Sequence, residues 1–184
     1  MESIEFYQTP KGGIMIHDLN GARQLKEHDR EFIGKMIEKL SEFYPEALAD
    51  LSKLFEKKRL NIPHFEYRIV LRFIKCNWGK FDSAMDIDQF GNLNFEEVEC
   101  PLRGECPQEG IVCKPKFNSN LSDREIEVMR CYYDGLTAEQ IANKICLSIE
   151  TVKTHKRNVF KRTNTHTLAE FFLYAKSKNL FDYE

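Results

Sequence analysis

Between Thr151 and Arg162 the chain carries Lys153, Lys156, Arg157, Lys161 and Arg162 and no acid. A basic run of this kind neutralises phosphates, or it is only the solvated face of a helix. Four thiols form a second group with chemical potential: Cys76, then Cys100-x5-Cys106-x6-Cys113. Four thiolates can close a tetrahedral zinc site or hold an iron–sulfur cluster, and a loop poor in apolar residues would gain much from such a clip. The spacing is looser than the paired C-x2-C of zinc ribbons. Structural zinc, a redox-active cluster or thiol switch, and unliganded cysteines therefore all stay open. A third group, Asp86-x-Asp88-x-Phe90-Gly91-x5-Glu97, copies most of a calcium-binding loop. Phe90, at its fifth position, has no oxygen to donate, so a hairpin turn with exposed acids is the expectation.

These residues sit in a chain of 184, with 42% hydrophobic and 30% charged side chains and a formal net charge of −2. That is an ordinary globular composition and excludes collagen-like, mucin-like or wholly disordered readings. No stretch approaches the roughly 20 apolar residues of a membrane span, and Met1 to Pro10 lacks the basic start and apolar core of a leader. A cytoplasmic protein with no membrane partner is expected, in a compartment where thiols stay reduced. The near-neutral total hides the one strongly positive segment.

Apolar residues recur at helical spacing from about Gly21 to Lys58: Phe32, Ile33, Met36, Ile37, Leu40 and Phe43, then Leu48, Leu51, Leu54 and Phe55. Two amphipathic helices are predicted, with Pro45 in the first turn of the second. From Ile62 to Cys76 apolar residues alternate, Phe65, Tyr67, Ile69, Leu71 and Phe73 on one face, which predicts a half-buried strand. A second short strand is expected over Leu93 to Cys100, and Pro101 to Asn120 reads as a loop or linker. After Asn120, Ser122 with Glu125, Thr137 with Gln140 and Thr167 with Glu170 have capping-box spacing, Ser148 is a further N-cap, and Gly135 suits a helix end. Four short helices follow. The expected fold class is α+β: N-terminal helices and a small antiparallel sheet with a cysteine-containing loop over residues 1–117, then an all-α helix-turn-helix domain over residues 118–184.

Only Cys146 and Leu147 separate the helix from Thr137 to Ile145 and the helix that starts at Ser148, and the basic run lies on the second. In a helix-turn-helix this second helix is the one that enters the major groove, which turns the charge cluster from a solvated face into a DNA-reading surface. The residues Leu121-Ser122-Asp123-Arg124-Glu125-Ile126-Glu127-Val128-Met129, Gly135-Leu136-Thr137, Ile141-Ala142 and Ile145-Cys146-Leu147-Ser148-Ile149-Glu150-Thr151-Val152-Lys153-Thr154-His155 resemble the LuxR-type (GerE-like) DNA-binding domain. The resemblance covers about the last third of the chain. It implies a four-helix module whose third helix reads the major groove and whose fourth commonly pairs two copies.

On that third helix Lys153, Thr154 and Arg157 are the expected base contacts, and Thr151, His155, Lys156, Asn158 and Lys161 the expected phosphate contacts. Val152 and Val159 should point into the core. His155 has no second ligand or acid beside it, so it reads as a hydrogen-bonding side chain, and Cys131 and Cys146 read as small buried hydrophobes. Thr163, Thr165 and Leu168 stand where the family usually has Leu, Val and Arg. Leu168, Phe171, Phe172 and Tyr174 give the fourth helix ample apolar surface, either for the core or for a homodimer contact.

The N-terminal part resembles no family. Two helices ahead of a short sheet do not fit an alternating phosphate-receiving domain, and an acyl-homoserine-lactone domain would be longer. Its input stays unassigned. No G-x-x-x-x-G-K-S/T, G-x-S-x-G or H-E-x-x-H occurs, so an enzyme is not expected. The reading is a transcriptional regulator that binds double-stranded DNA and meets RNA polymerase. The runner-up is a sigma-like or adaptor protein that uses the same helices only with polymerase or with protein partners.

Overall fold

The computed structural model describes residues 3–82, 84–89, 91–178 and 180–181. The chain divides between Lys116 and Phe117 into two compact units. The first is α+β and the second all-α. No helix among the described residues is long and apolar enough to cross a membrane.

The first unit begins with an antiparallel meander of β1 (Glu5–Gln8), β2 (Ile14–Asp18) and β3 (Gly21–Gln24). Phe6 lies opposite Ile16 and Gln8 opposite Ile14. The alternation therefore puts Phe6, Ile14 and Ile16 on one fully buried face. The β2–β3 turn needs the positive φ of Gly21, and the Asn20 amide donates to Asp18 Oδ1 within it. This sheet is not where the sequence reading expected one. Its signal was present as the alternating Ile4-x-Phe6 and Ile14-x-Ile16 pairs on either side of Gly12-Gly13, but each run is too short to stand out from its surroundings.

Helix α1 (Arg30–Phe43) and helix α2 (Pro45–Leu54) are the two predicted amphipathic helices, with Pro45 opening the second. The segment expected as a strand is instead α3 (Ile62–Asn77), preceded by a short 3-10 turn at Glu56–Lys58. Asn61 caps it, accepting a hydrogen bond from the His64 amide at 3.2 Å, and Pro63 sits in its first turn. Its buried residues, Ile69, Val70, Phe73, Ile74 and Asn77, fall at helical rather than alternate spacing. The run also satisfies a period of two by coincidence, and its β-branched and aromatic content favours a strand only weakly. Packing on α1 and β2 decides the matter.

Beyond α3 the first unit has no further helix or strand among its described residues. The strand expected at Leu93 to Cys100 shrinks to isolated bridges, Ile4 with Ile87 and Ile87 with Leu93. Its backbone turns away to serve other partners: the Asn94 amide donates to the Asp86 carbonyl, and the Glu96 amide to the Asn77 carbonyl. Trp78, fully buried, gathers Phe6, Phe73 and Phe95 around it at ring separations of 5.1, 5.8 and 5.4 Å. Its indole N–H donates to the Asn94 carbonyl.

The calcium-loop acids point at protein groups instead of a common centre. Asp86 is buried and accepts the Phe6 amide at 2.6 Å, which corrects the expectation of an exposed acid. Asp88 accepts from the Asn92 amide and carboxamide, and Glu97 faces Lys114. Phe90 lies outside the described residues.

In the second unit the helices are α4 (Asp123–Tyr133), α5 (Ala138–Lys144), α6 (Ile149–Thr163) and α7 (Leu168–Ser177). Val128, Met129, Tyr132, Ile141, Val152, Val159 and Phe171 form their common core. Both reciprocal bonds of the capping box are made at Ser122/Glu125 and at Thr137/Gln140. At Thr167 only one is. The Thr167 hydroxyl accepts the Glu170 amide, but the Glu170 carboxylate reaches one residue further back, to the His166 amide. Gly135 takes φ 83° after α4, and the next amide, of Leu136, returns to the Cys131 carbonyl.

Asn77 anchors the long loop of the first unit. Fully buried, its carboxamide donates to the Val112 carbonyl and accepts from the Lys114 amide, at 2.8 and 2.7 Å. Asn77→Ala should cost about 1–3 kcal/mol by stranding these backbone groups. Urea denaturation should show the loss, and an unchanged midpoint would mean that the loop is held by other contacts.

Candidate nucleic-acid interface

The turn between α5 and α6 is tight. The Ile145 amide closes α5 on the Ile141 carbonyl, Cys146 takes φ 55°, and the Leu147 amide donates to the Ala142 carbonyl. Cys146 is exposed at this corner, not buried as expected, because its left-handed backbone turns it away from the core. Cys131 is buried. Arg124 of α4 reaches across to the Ile145 carbonyl while also pairing with Glu127, so the C-terminal end of α5 is held by a cation. Ser148 then starts α6 by accepting the Thr151 amide at 3.0 Å.

At about 100° per residue, Val152 and Val159 define the inward edge of α6, and both are fully buried. The opposite face carries Lys153, Thr154, Arg157 and Lys161, of which the three cations are exposed and Thr154 half-buried. The three expected base contacts therefore share one face, and Lys161 continues that stripe. Thr151, His155 and Asn158 are half-buried beside it. Lys156 is different. It follows Val152 by one turn, on the side toward the core, and its ammonium lies over the rings of Tyr132 and Phe160 at 5.4 and 5.9 Å. That placement could have been read from its spacing to Val152.

Lys153 makes a loose pair with Glu150 at 3.9 Å, both side chains largely exposed, an interaction that screens easily and gives way to a stronger anion. Among the described residues Arg157 and Lys161 make no ion pair. Arg162, the last cation of the run, bonds to Glu125. Glu125 is 3% exposed. The same Oε2 accepts the Ser122 amide and hydroxyl at 2.9 and 2.8 Å. Burial alone would raise this carboxyl, but the Ser122 bonds and the Arg162 guanidinium outweigh it and hold Glu125 below its ordinary range. One buried carboxylate thus fixes the start of α4 against the end of α6.

The departures from the family's pattern also find partners. The Thr163 hydroxyl donates to the Val159 carbonyl and lies 3.0 Å from that of Thr165, which is buried. Phe171 is enclosed in the domain's own core and has no surface left for a second copy, which corrects its place in the expected dimer contact. Leu168, Phe172 and Tyr174 are half-buried against that core, and Leu173, not expected in this role, is the exposed apolar residue of α7.

No three of the sulfurs of Cys76, Cys100, Cys106 and Cys113 lie within 4.8 Å of one another among the described residues. Asn77 brings the loop carrying Cys113 to the end of α3, beside Cys76. Cys100 and Cys106 instead bracket a separate turn, and Cys106 faces the Gln108 side chain. Interaction with the Cys76 thiol lowers the Cys113 thiol to about 6 against the effect of burial, with Arg103 and Arg72 assisting. The neighbouring Cys113 and burial push the Cys76 thiol far up.

Residues 119–175 match the family of bacterial regulatory proteins of the luxR type. This segment is a LuxR-family helix-turn-helix domain. Among similar proteins, the Fimbriae Z protein of Salmonella typhimurium is 38% identical over 60 residues, 33% of this chain and 29% of that protein. The uncharacterized response regulatory protein YgeK of Escherichia coli is 31% identical over 97 residues, 50% of this chain and 62% of that protein. The oxygen regulatory protein NreC of Staphylococcus carnosus is 33% identical over 63 residues, 34% and 29% of the two chains. The chain spans less than two thirds of the length of each of these relatives. No solved structure gives a significant match.

Two outcomes test this geometry. Glu125→Gln should destabilise the LuxR-family domain by about 1–3 kcal/mol at neutral pH. Because the folded carboxyl titrates below its unfolded value, that contribution is complete above the unfolded value, about 4.3, and fades as pH falls through the folded one. Denaturation of both proteins between pH 7 and 3 should therefore show their difference shrinking, and a constant gap would contradict the charge assignment. In the first unit, brief iodoacetamide treatment followed by mass spectrometry should label Cys113 before Cys76, with a rate that rises through a midpoint near 6. Faster labelling of Cys76 would reverse the assignment of thiol and thiolate.

Proposed function

We propose that the chain is a sequence-specific transcriptional regulator that binds double-stranded DNA through residues 118–184, with α6 in the major groove. The observation that carries this reading is the exposed stripe of Lys153, Thr154, Arg157 and Lys161 opposite the buried edge of α6, on the second helix of a LuxR-family helix-turn-helix. The names of the similar proteins, which include response regulators and an oxygen regulatory protein, support the same class of function.

In this reading Lys153, Thr154 and Arg157 reach base edges. Arg157 is the best suited of them, since a guanidinium can fork onto a guanine and Arg157 is not held by any ion pair among the described residues. Thr151, His155, Asn158 and Lys161 meet phosphates, and Lys156 does so after leaving its aromatic seat. Residues 1–117 carry an input to the DNA-binding part. RNA polymerase and a second copy of the chain are the protein partners such a regulator would use.

Selection of duplexes from a random pool, followed by titration at several salt concentrations, tests the reading directly. The purified chain should bind the selected duplex with an affinity that falls steeply as salt rises. Arg157→Ala should cost about 1–3 kcal/mol and relax the preference at one position, whereas Lys161→Ala should weaken all duplexes alike and lower the salt slope by about 1. Equal loss of preference in both variants would overturn the base and phosphate assignments. Binding seen only when polymerase is added would favour the sigma-like alternative.

A further inference from the structure

Glu5 comes from β1, Asp82 from the segment just after α3, and Glu96 from the loop beyond it, yet one carboxylate oxygen of each lies within 4.8 Å of one from each of the others. Each carboxylate uses one oxygen to hold backbone. Glu5 Oε1 accepts the Asp82 amide at 2.9 Å, Asp82 Oδ1 the Ala84 amide at 2.6 Å, and Glu96 Oε2 the Gly79 and Lys80 amides at 2.9 and 3.1 Å. The second oxygens of the two glutamates, Glu5 Oε2 and Glu96 Oε1, are buried without any hydrogen-bond partner. Glu5 itself is 1% exposed.

A buried carboxylate oxygen with no donor loses its hydration and gains nothing in exchange. Here two such atoms occur beside a third carboxylate, and none of the ion pairs among the described residues involves any of the three. Asp86, also buried, adds a fourth carboxyl to the same neighbourhood. Like charges so placed are stable only if a proton or a cation intervenes. We propose that Glu5, Asp82 and Glu96 bind one hard divalent cation, calcium or magnesium. Oxygen-only ligands select these ions, and a small inward shift of three oxygens within this span brings them to the metal–oxygen distances of about 2.0–2.6 Å that a single ion needs. Asp82 is exposed, so the ion enters from solvent on its side while Glu5 forms the floor. The backbone amides on the first oxygens hold the ligands in place before the ion arrives.

The site differs from the calcium-like loop legible in the sequence, which Asp88 and Glu97 leave for other partners. Its ligands come from three separate stretches of chain. A bound ion would tie β1 to the segments that follow α3 and so stiffen the unit around Trp78.

Trp78 is the only tryptophan, and the next residue, Gly79, donates its amide to Glu96. Terbium is a luminescent stand-in for calcium that a nearby indole sensitises. Titrated into the full chain stripped with chelator and excited through Trp78, terbium should give a saturable signal of one equivalent. Calcium or magnesium should displace it and also raise the melting temperature of the stripped protein. The better competitor identifies the ion. Asp82→Asn and Glu96→Gln should each weaken terbium binding by about tenfold or more while leaving the far-ultraviolet circular dichroism unchanged. Absence of a saturable signal, equal binding by the well-folded Asp82→Asn protein, or failure of both millimolar calcium and millimolar magnesium to compete would overturn the proposal.

Discussion

A buried polar atom must find a partner within the protein, and in this chain that requirement ties distant segments together. Glu125 is the clearest case. Its single oxygen takes the Ser122 amide and hydroxyl and the Arg162 guanidinium, so the first turn of α4 and the last turn of α6 cannot separate without exposing a charge in an apolar site. The orientation of α6 depends on that constraint as well as on the shared core of Val152, Val159 and Phe171.

The same constraint organises the first unit. Asn77 at the end of α3 supplies the hydrogen bonds that an irregular loop lacks, and Asp86 does so for the Phe6 amide on β1. Trp78 fills the space between these polar anchors with aromatic surface. A unit with three short strands and a long irregular segment is thereby held without disulfides, since all its cysteines are free. Where the polar partners run out, at Glu5 and Glu96, buried carboxylate oxygens stand without a donor in a group of three close carboxylates, and that is the feature on which a cation site rests.

Charge on α6 is sorted by the helix period into separate duties. Arg162 is spent on Glu125, Lys156 rests on Tyr132 and Phe160, and Lys153 holds Glu150 only loosely. Arg157 and Lys161 extend from the exposed face. A count of basic residues treats all five alike, but the geometry separates cations that build the domain from those that can meet a phosphate or a base.

The second unit was almost wholly legible in the sequence, because its determinants are local: capping residues three apart, Gly135 at a helix end, and a helical apolar period from Val128 to Val159. Even there, the half-made cap at Thr167 and the exposure of Cys146 turned on local backbone geometry, and the enclosure of Phe171 was set by neighbours distant in sequence. In the first unit α1 and α2 followed from their periodicity, whereas α3 satisfied two periods at once and only its packing on α1 and β2 chose between them. The thiols of Cys76 and Cys113 are neighbours because Asn77 fixes a loop, while Cys100 and Cys106 bracket a turn closed by its own backbone bonds. The meeting of Glu5, Asp82 and Glu96 has no sequence signature at all. Patterns within a few residues fix which elements form, but contacts between remote segments depend on how those elements share a core and satisfy their buried polar atoms.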